Sequence, residues 1–281
     1  MKKLYLFKVF TYLKIVLVFT PVFFLVSCDN STNPLDFNLF STQEDVQLGQ
    51  QLDSEIVSNP KDYPILNSPQ HTQYVQNIVN EIIQSPLIQY KSTFVYKVKI
   101  INTSTVNAFA APGGYIYVYK GLLQFVDNQA TLAGVLAHEI AHAERRHASK
   151  RMSKQYGISL LTSILLGNNP SALEELASNL LTGLALLKNS RDDEYEADQY
   201  SFKYLQTSRW YPGAIKLFFE KIQAQQQTNP SDLEELLSTH PLDSKRETQI
   251  DDLLKSNNVP APSETNLFQN DYQNFKNSLP N

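Results

Sequence analysis

One stretch, Leu132-Ala133-Gly134-Val135-Leu136-Ala137-His138-Glu139-Ile140-Ala141-His142, constrains this chain more than any other part of it. Two histidines and a glutamate are set into an otherwise apolar run, which reads as a buried helix. Residues four apart on a helix are offset by about 40° around its axis, so His138 and His142 point the same way, one turn apart. Two neutral ring nitrogens placed like that can grip one zinc ion at roughly 2.0–2.1 Å. Glu139 lies about 100° round from His138, near enough to reach a water at the metal without becoming a ligand. The alternative, a helix with two partly exposed histidines and a salt-bridging glutamate, is uncomfortable because unpaired polar groups in so apolar a helix are costly.

A zinc site that works on water needs a third protein ligand and an open fourth position. The segment Ser190-Arg191-Asp192-Asp193-Glu194-Tyr195-Glu196-Ala197-Asp198 offers a candidate. On a helix, Glu194 and Asp198 share a face with Ala197 and Ser201, small enough to pack closely against Ala137 and Ala141. Glu194 would complete the metal site. Asp198 would accept a hydrogen bond from the outer nitrogen of a ligating histidine, fixing its tautomer. His147 falls roughly 140° round a continuous helix from His142, off the metal face, and reads as structural. Arg145 and Ala148 stand where a metzincin-type extension would need a glycine and a third histidine.

The remaining periodicities place this pair of segments in an α+β frame. Ser41 and Glu44 fit a capping box, followed by Val46, Leu48, Leu52 and Ile56 at helical spacing. A second helix is expected from about Gln70, carrying Val75, Ile78, Val79 and Ile82. Alternation then predicts a strand over Phe94–Ile101, a short one over Thr105–Ala110, a turn at Pro112-Gly113-Gly114 and a third strand over Tyr115–Tyr119. Everything afterwards reads as helical: Asn128 to about Met152, an apolar pair Ile158–Leu166 and Leu173–Leu187, Asp192–Gln206, one from Pro212, and Asp243–Leu254. The apolar pair is too short or too interrupted to span a bilayer, and reads as a buried or lid-like hairpin, with a membrane-facing surface as the rival. Beyond Lys255, Asn, Ser and Pro predict an irregular tail over 256–281.

The N-terminus speaks to location. Lys2, Lys3, Lys8 and Lys14 precede a short apolar run from Ile15 to Val26, the pattern of a secretory signal over 1–27. Leu25-Val26-Ser27-Cys28 resembles a bacterial lipobox, so Cys28 is expected to be acylated, and 28–40 to be a lipidated tether. Cys28 is also the only cysteine, which excludes an internal disulfide. The expected location is a bacterial envelope membrane facing the periplasm, with the lipid holding the protein to the membrane. A net charge of −4 argues against a nucleic-acid partner.

Taken together, these motifs resemble the M48 family of metallopeptidases, in which a His-Glu-x-x-His helix is followed by Ser-Arg-x-x-Glu-x-x-Ala-Asp. Asn107-Ala108-Phe109-Ala110-Ala111-Pro112-Gly113-Gly114 and Thr239-His240-Pro241 with Arg246 also match, so the likeness runs from about Ser41 to Leu254. The resemblance implies a predominantly helical, gluzincin-like domain over 41–255, with a sheet of about three strands and the zinc site between two helices. It implies one Zn2+ per chain on His138, His142 and Glu194, with Glu139 as general base and acid. Asn107, Ala108, Phe109 and Ala110 would border an edge against which an extended peptide pairs. His240 would stabilise the developing oxyanion, or else fill the fourth metal position and hold the enzyme off. The implied substrates are misfolded or unassembled envelope proteins. Rival readings are a client-binding, chaperone-like factor that cleaves only occasionally, and an integral membrane protease of the same family.

Overall fold

Residues 38–181, 189–228 and 230–280 are described by the computed structural model. The leader, Cys28 and nearly all of the expected tether lie outside these residues, as does the end of the second apolar segment. The described chain begins with α1 (Thr42–Ser58) and α2 (Pro69–Ile82). Both caps follow from sequence: Ser41 and Glu44 form a reciprocal capping box, and Pro69 occupies the first turn of α2. Three strands follow, β1 (Lys97–Ile101), β2 (Ala108–Ala111) and β3 (Tyr115–Tyr119). They form one sheet in the order β1-β3-β2, with β1 parallel and β2 antiparallel to β3.

The first strand is shorter than its alternation predicts. Tyr96 takes φ 44°, outside the extended region, so pairing can start only at Lys97. The Gln76 side chain closes that junction, donating to Tyr96 O and accepting from Val98 N. β2 likewise starts at Ala108 rather than Thr105. The turn at 112–114 holds, with Gly113 and Gly114 at φ 73° and 88°. A Cβ on Gly113 would lie 2.6 Å from Val46 Cα, so α1 packs there only because that side chain is absent.

The remaining helices are α3 (Lys120–Phe125), α4 (Gln129–Glu144), α5 (His147–Leu165), α6 (Pro170–Leu181), α7 (Arg191–Leu205), α8 (Ala214–Gln226), α9 (Glu234–Thr239), α10 (Ser244–Ser256), α11 (Glu264–Leu267) and α12 (Gln269–Ser278). Every residue of α4 is buried, as an apolar helix with no polar face requires. The expected single helix from Asn128 to Met152 is instead two. Arg146 adopts a left-handed conformation, φ 59° and ψ 33°, and the chain turns there. Its guanidinium holds the turn, with Nε donating to Asp45 Oδ2 at 2.5 Å and Nη2 donating to Phe40 O.

Both faces of β3 are buried. Val98, Ile100, Ile116 and Val118 join a large apolar cluster with α2, α4, α7 and α8. Phe109, Tyr115, Tyr117 and Tyr119 join a second cluster with α1, α5 and α6. The α5–α6 pair therefore covers the sheet and is in part a packed hairpin. No helix among the described residues is long and apolar enough to cross a membrane.

The segment after Lys255 departs from expectation. Rather than being irregular, it carries α11 and α12, and Tyr272 and Phe275 are buried against the large cluster. Tyr272 also donates its hydroxyl to Leu123 O at 2.7 Å, and Phe275 stacks on Tyr74 at 3.9 Å between centroids. Two well-placed aromatics anchor a segment whose polar composition carries no periodic signal.

Candidate active site

Helix α4 delivers His138, Glu139 and His142 to the interior, each at most 5% exposed. Helix α7, started by a capping box of Ser190 and Asp193, delivers Glu194 and Asp198, both fully buried. The two helices pack through Ala137, Ala141 and Ala197, and Ser201 donates to Gly134 O at 2.9 Å. His240 arrives from the chain just past α9. His138, His142, Glu194 and His240 each offer one ligand atom, and these atoms lie within 4.8 Å of one another. His138 Nε2 stands 2.9 Å from His142 Nε2 and 3.5 Å from Glu194 Oε2. His142 Nε2 is 3.3 Å from Glu194 Oε1, and His240 Nδ1 is 3.1 Å from the same oxygen.

Two imidazoles and a carboxylate are the donor set that suits a borderline cation such as zinc. Their surroundings fit the same group, because each ring's outer nitrogen has a polar side chain close by on the far side. His138 Nδ1 lies 2.8 Å from Asp198 Oδ1. His142 Nδ1 lies 2.7 Å from His147 Nδ1, whose Nε2 is in turn 3.0 Å from Glu196 Oε2. His147 is thus not among the clustered donors, as expected, yet it touches one of them directly. On a continuous helix it would lie off the metal face, and the turn at Arg146 breaks that helix.

Arg246 braces both α7 carboxylates. Its Nε and Nη2 donate to Asp198 at 2.6 and 2.7 Å, and its Nη1 lies 2.7 Å from Glu194 Oε2. Asp243 caps α10 and so aims Arg246, in the first turn, back into the site. Burial alone would push Glu194 up, but Arg246, His240 and His138 hold its carboxyl well below the usual range. Burial would likewise lower His138, yet Glu194 and Asp198 raise it to about 9. His142 is held well below its usual value by burial and by His138. Burial pushes Glu139 up, partly offset by His240 and His138, which suits a group that must both take and return a proton.

Glu139 Oε1 stands 3.7 Å from His240 Nε2, where two branches of a cleft meet. One branch is apolar, with Ala108, Val135, Ile215, Phe218, Phe219 and Ile222 around it. The other is polar, with Arg151, Asn179 and Asn189 facing Phe109 and Ala110. Of the four residues expected to border substrate, Ala108, Phe109 and Ala110 line these branches. Asn107 turns inward, donating to Glu235 Oε1 at 3.0 Å and accepting from Ala108 N at 2.9 Å. β2 is an edge strand of the sheet, so its outer backbone groups face the cleft. Asn189, Arg151 and Glu196 carry no sequence signal of their own. They reach the site only through the folding of α5 and α7 around it.

Comparison with known proteins agrees with this geometry. A family model described as Peptidase family M48 matches residues 69–254, well over half of the chain. The beta-barrel assembly-enhancing protease of Yersinia pestis is 35% identical over 156 residues, covering 52% of this chain and 32% of that protein. Its counterpart in Escherichia coli (strain K12) is 35% identical over 158 residues, with the same coverage. The mitochondrial metalloendopeptidase OMA1 of Saccharomyces cerevisiae is 30% identical over 186 residues, 64% of this chain and 53% of that protein. The matched region thus spans about a third of the bacterial relatives and about half of the yeast one.

Proposed function

This chain belongs to peptidase family M48, and from that membership we propose that it is a zinc-dependent endopeptidase acting on polypeptides of a bacterial envelope. The observation that carries the reading is the buried Glu139, beside three metal-type donors and in a cleft that follows the β2 edge. His138, His142 and Glu194 would hold the ion, which when bound polarises a substrate carbonyl and acidifies water. The protein's own groups do the rest. β2 pairs with the substrate backbone and fixes the scissile bond in the cleft. Glu139 accepts the proton of the attacking water and returns it to the departing amine. Asp198 and Arg246 keep Glu194 and His138 oriented throughout.

His240 has two possible tasks. Its Nε2 faces Glu139 and the cleft, where it can donate to the oxyanion. Its Nδ1 sits among the clustered donors, which supports the second reading, a fourth ligand that holds the enzyme off until displaced. One assay tests the scheme. Zinc-loaded wild type, Glu139→Gln and His240→Ala are compared for cleavage of an unfolded protein, with zinc content measured in each. Glu139→Gln should keep its zinc and lose hydrolysis; substantial residual cleavage removes Glu139 as the base. His240→Ala activity above wild type supports the holding role, a loss supports the oxyanion role, and no change removes His240 from both.

The envelope placement rests on the Lys-rich leader and the Cys28 motif, with support from the Yersinia and Escherichia relatives, which are named beta-barrel assembly-enhancing proteases. Acylation of Cys28 predicts that metabolically supplied palmitate labels the wild-type protein and not Cys28→Ser. Clients caught by the Glu139→Gln form in intact cells would identify the substrates.

A further inference from the structure

The polar branch of the cleft holds a cation, Arg151, whose ion pair inside the protein, with Asp193, is long. Arg151 comes from the second turn of α5, and its side chain is only 17% exposed. Its Nε and Nη1 are buried, with no hydrogen-bond acceptor among the described residues. The nearest carboxylate in ion-pair range is Asp193, 3.7 Å from Nη1, and that oxygen already accepts from Ser190 N at 3.1 Å. Those two nitrogens carry three N–H donors, and burying them unpaired is costly. Asn189 repeats the pattern a short way along the same wall. It is 6% exposed, and its Oδ1 lacks a donor among the described residues. Its Nδ2 lies 3.3 Å from His142 Nε2 and 3.2 Å from His240 Nδ1. Two nearly buried side chains of one cleft wall, beside Glu139, therefore carry unmet polar atoms.

The strand edge offers a course for a bound chain across that cleft. Tyr119 N donates to Asn107 O at 3.0 Å, so by antiparallel alternation Phe109 and Ala111 also bond to β3. Ala108 and Ala110 then direct their backbone groups outward, although the Ala108 N–H already donates to Asn107 Oδ1 and the Ala110 N–H to Glu139. Ala108 borders the apolar branch, and Ala110 borders the polar one. A polypeptide added antiparallel to β2 runs opposite to the order 108 to 110. It enters with its N-terminal side along the polar branch, passes Glu139, and leaves along the apolar branch.

We propose that Arg151 is a substrate-binding residue, donating to an acceptor oxygen of the polypeptide on the N-terminal side of the scissile bond, with Asn189 Oδ1 accepting a backbone N–H beside it. The inference rests on the endopeptidase reading for its direction, and on the unmet buried donors for its chemistry. The acceptor can be an acidic side chain or a backbone carbonyl, and the two leave different signatures.

The test uses the full chain loaded with zinc and synthetic peptides that differ only in the residues N-terminal to the cleaved bond, carrying Asp or Glu, Asn or Gln, or Lys at each position. Cleavage is followed as kcat/KM for wild type, Arg151→Gln and Arg151→Lys. Binding is followed as Kd by fluorescence anisotropy in the Glu139→Gln background, with and without Arg151→Gln. Melting curves confirm that each variant is folded, and Arg151→Lys keeps the charge if Arg151→Gln does not fold. A charge-assisted hydrogen bond is worth roughly ten- to hundredfold. An acidic side-chain acceptor predicts a preference of that size for Asp or Glu at one position, lost in Arg151→Gln and partly kept in Arg151→Lys. A carbonyl acceptor predicts that Arg151→Gln weakens every peptide alike, in Kd as well as kcat/KM. Unchanged Kd and kcat/KM across the set overturn the proposal. Should wild type bind these peptides with the same Arg151 dependence yet cleave none, the endopeptidase reading fails while the Arg151 site stands.

Discussion

Arg146 takes a positive φ of 59°, and that one angle turns His147 back onto the outer nitrogen of His142. Glu196 then fixes the far side of the His147 ring, and its own carboxyl is held at about 2, because the His147 hydrogen bond and the Arg145 charge outweigh the upward push of burial. Groups that orient a ligating histidine in this way typically contribute ten- to hundredfold in metal affinity. His147→Ala should therefore weaken zinc binding by roughly that factor, read by competition with a chromophoric chelator. An unchanged affinity would leave His147 as mere packing. The same residues show what could be read from sequence. His138, His142 and Glu194 were legible because ligands on one helical face recur at fixed spacing, and that spacing survives in any straight helix. His147 was not, because its position depends on where a helix breaks. The break is stabilised by Asp45 and Phe40, about a hundred residues earlier in the chain.

At the scale of elements, α4 is the piece against which the others are set. It meets α7 through alanines and meets α8 where Gly134 faces Ala214 and Ile215. A Cβ on Gly134 would lie 2.7 Å from Ile215 N and 2.9 Å from Ala214 C, both backbone atoms that no side-chain rotation can clear. Gly134→Ala must then push α8 outward, and with it Phe218 and Phe219 of the apolar branch. Overpacking of this kind typically costs about 1–3 kcal/mol. Urea unfolding should show that loss, and KM for peptides with an apolar residue after the cleaved bond should rise more than for those without one. An equal change in both would separate the packing effect from the cleft. Helix α4 and the Tyr115–Tyr119 strand were readable from sequence because their apolar runs are long or strictly alternating. Helix α12 was not: its hold on the core comes from Tyr272 and Phe275, and a polar segment gives no hint that two aromatics will find Leu123 and Tyr74 across the fold.

For the molecule as a whole, the site draws on separate parts of the chain, α4, α7 and the turn after α9, so an ion held there ties them together. The charges it would meet are already balanced without it. Arg246 answers Glu194 and Asp198, and these two carboxylates outweigh the opposing effect of burial and keep His138 protonated near neutral pH. The fold also has its own core, two apolar clusters packed on either side of the sheet, whereas proteins that unfold on losing zinc depend on the metal for lack of one. Removal of the metal should therefore leave the helices in place while abolishing hydrolysis. The loss of stability should be limited to the binding linkage, about 2.7 kcal/mol when free zinc stands a hundredfold above its Kd. For a domain of this size, that corresponds to a fall in Tm of roughly 5–10 °C. Calorimetry before and after chelation, with far-UV circular dichroism on the same samples, checks both parts. Restoring zinc should return the Tm and the activity together. Loss of the helical signal on chelation at 25 °C would instead show that the metal organises the fold, and that Arg246 and His138 do not suffice to hold the empty ligands in place.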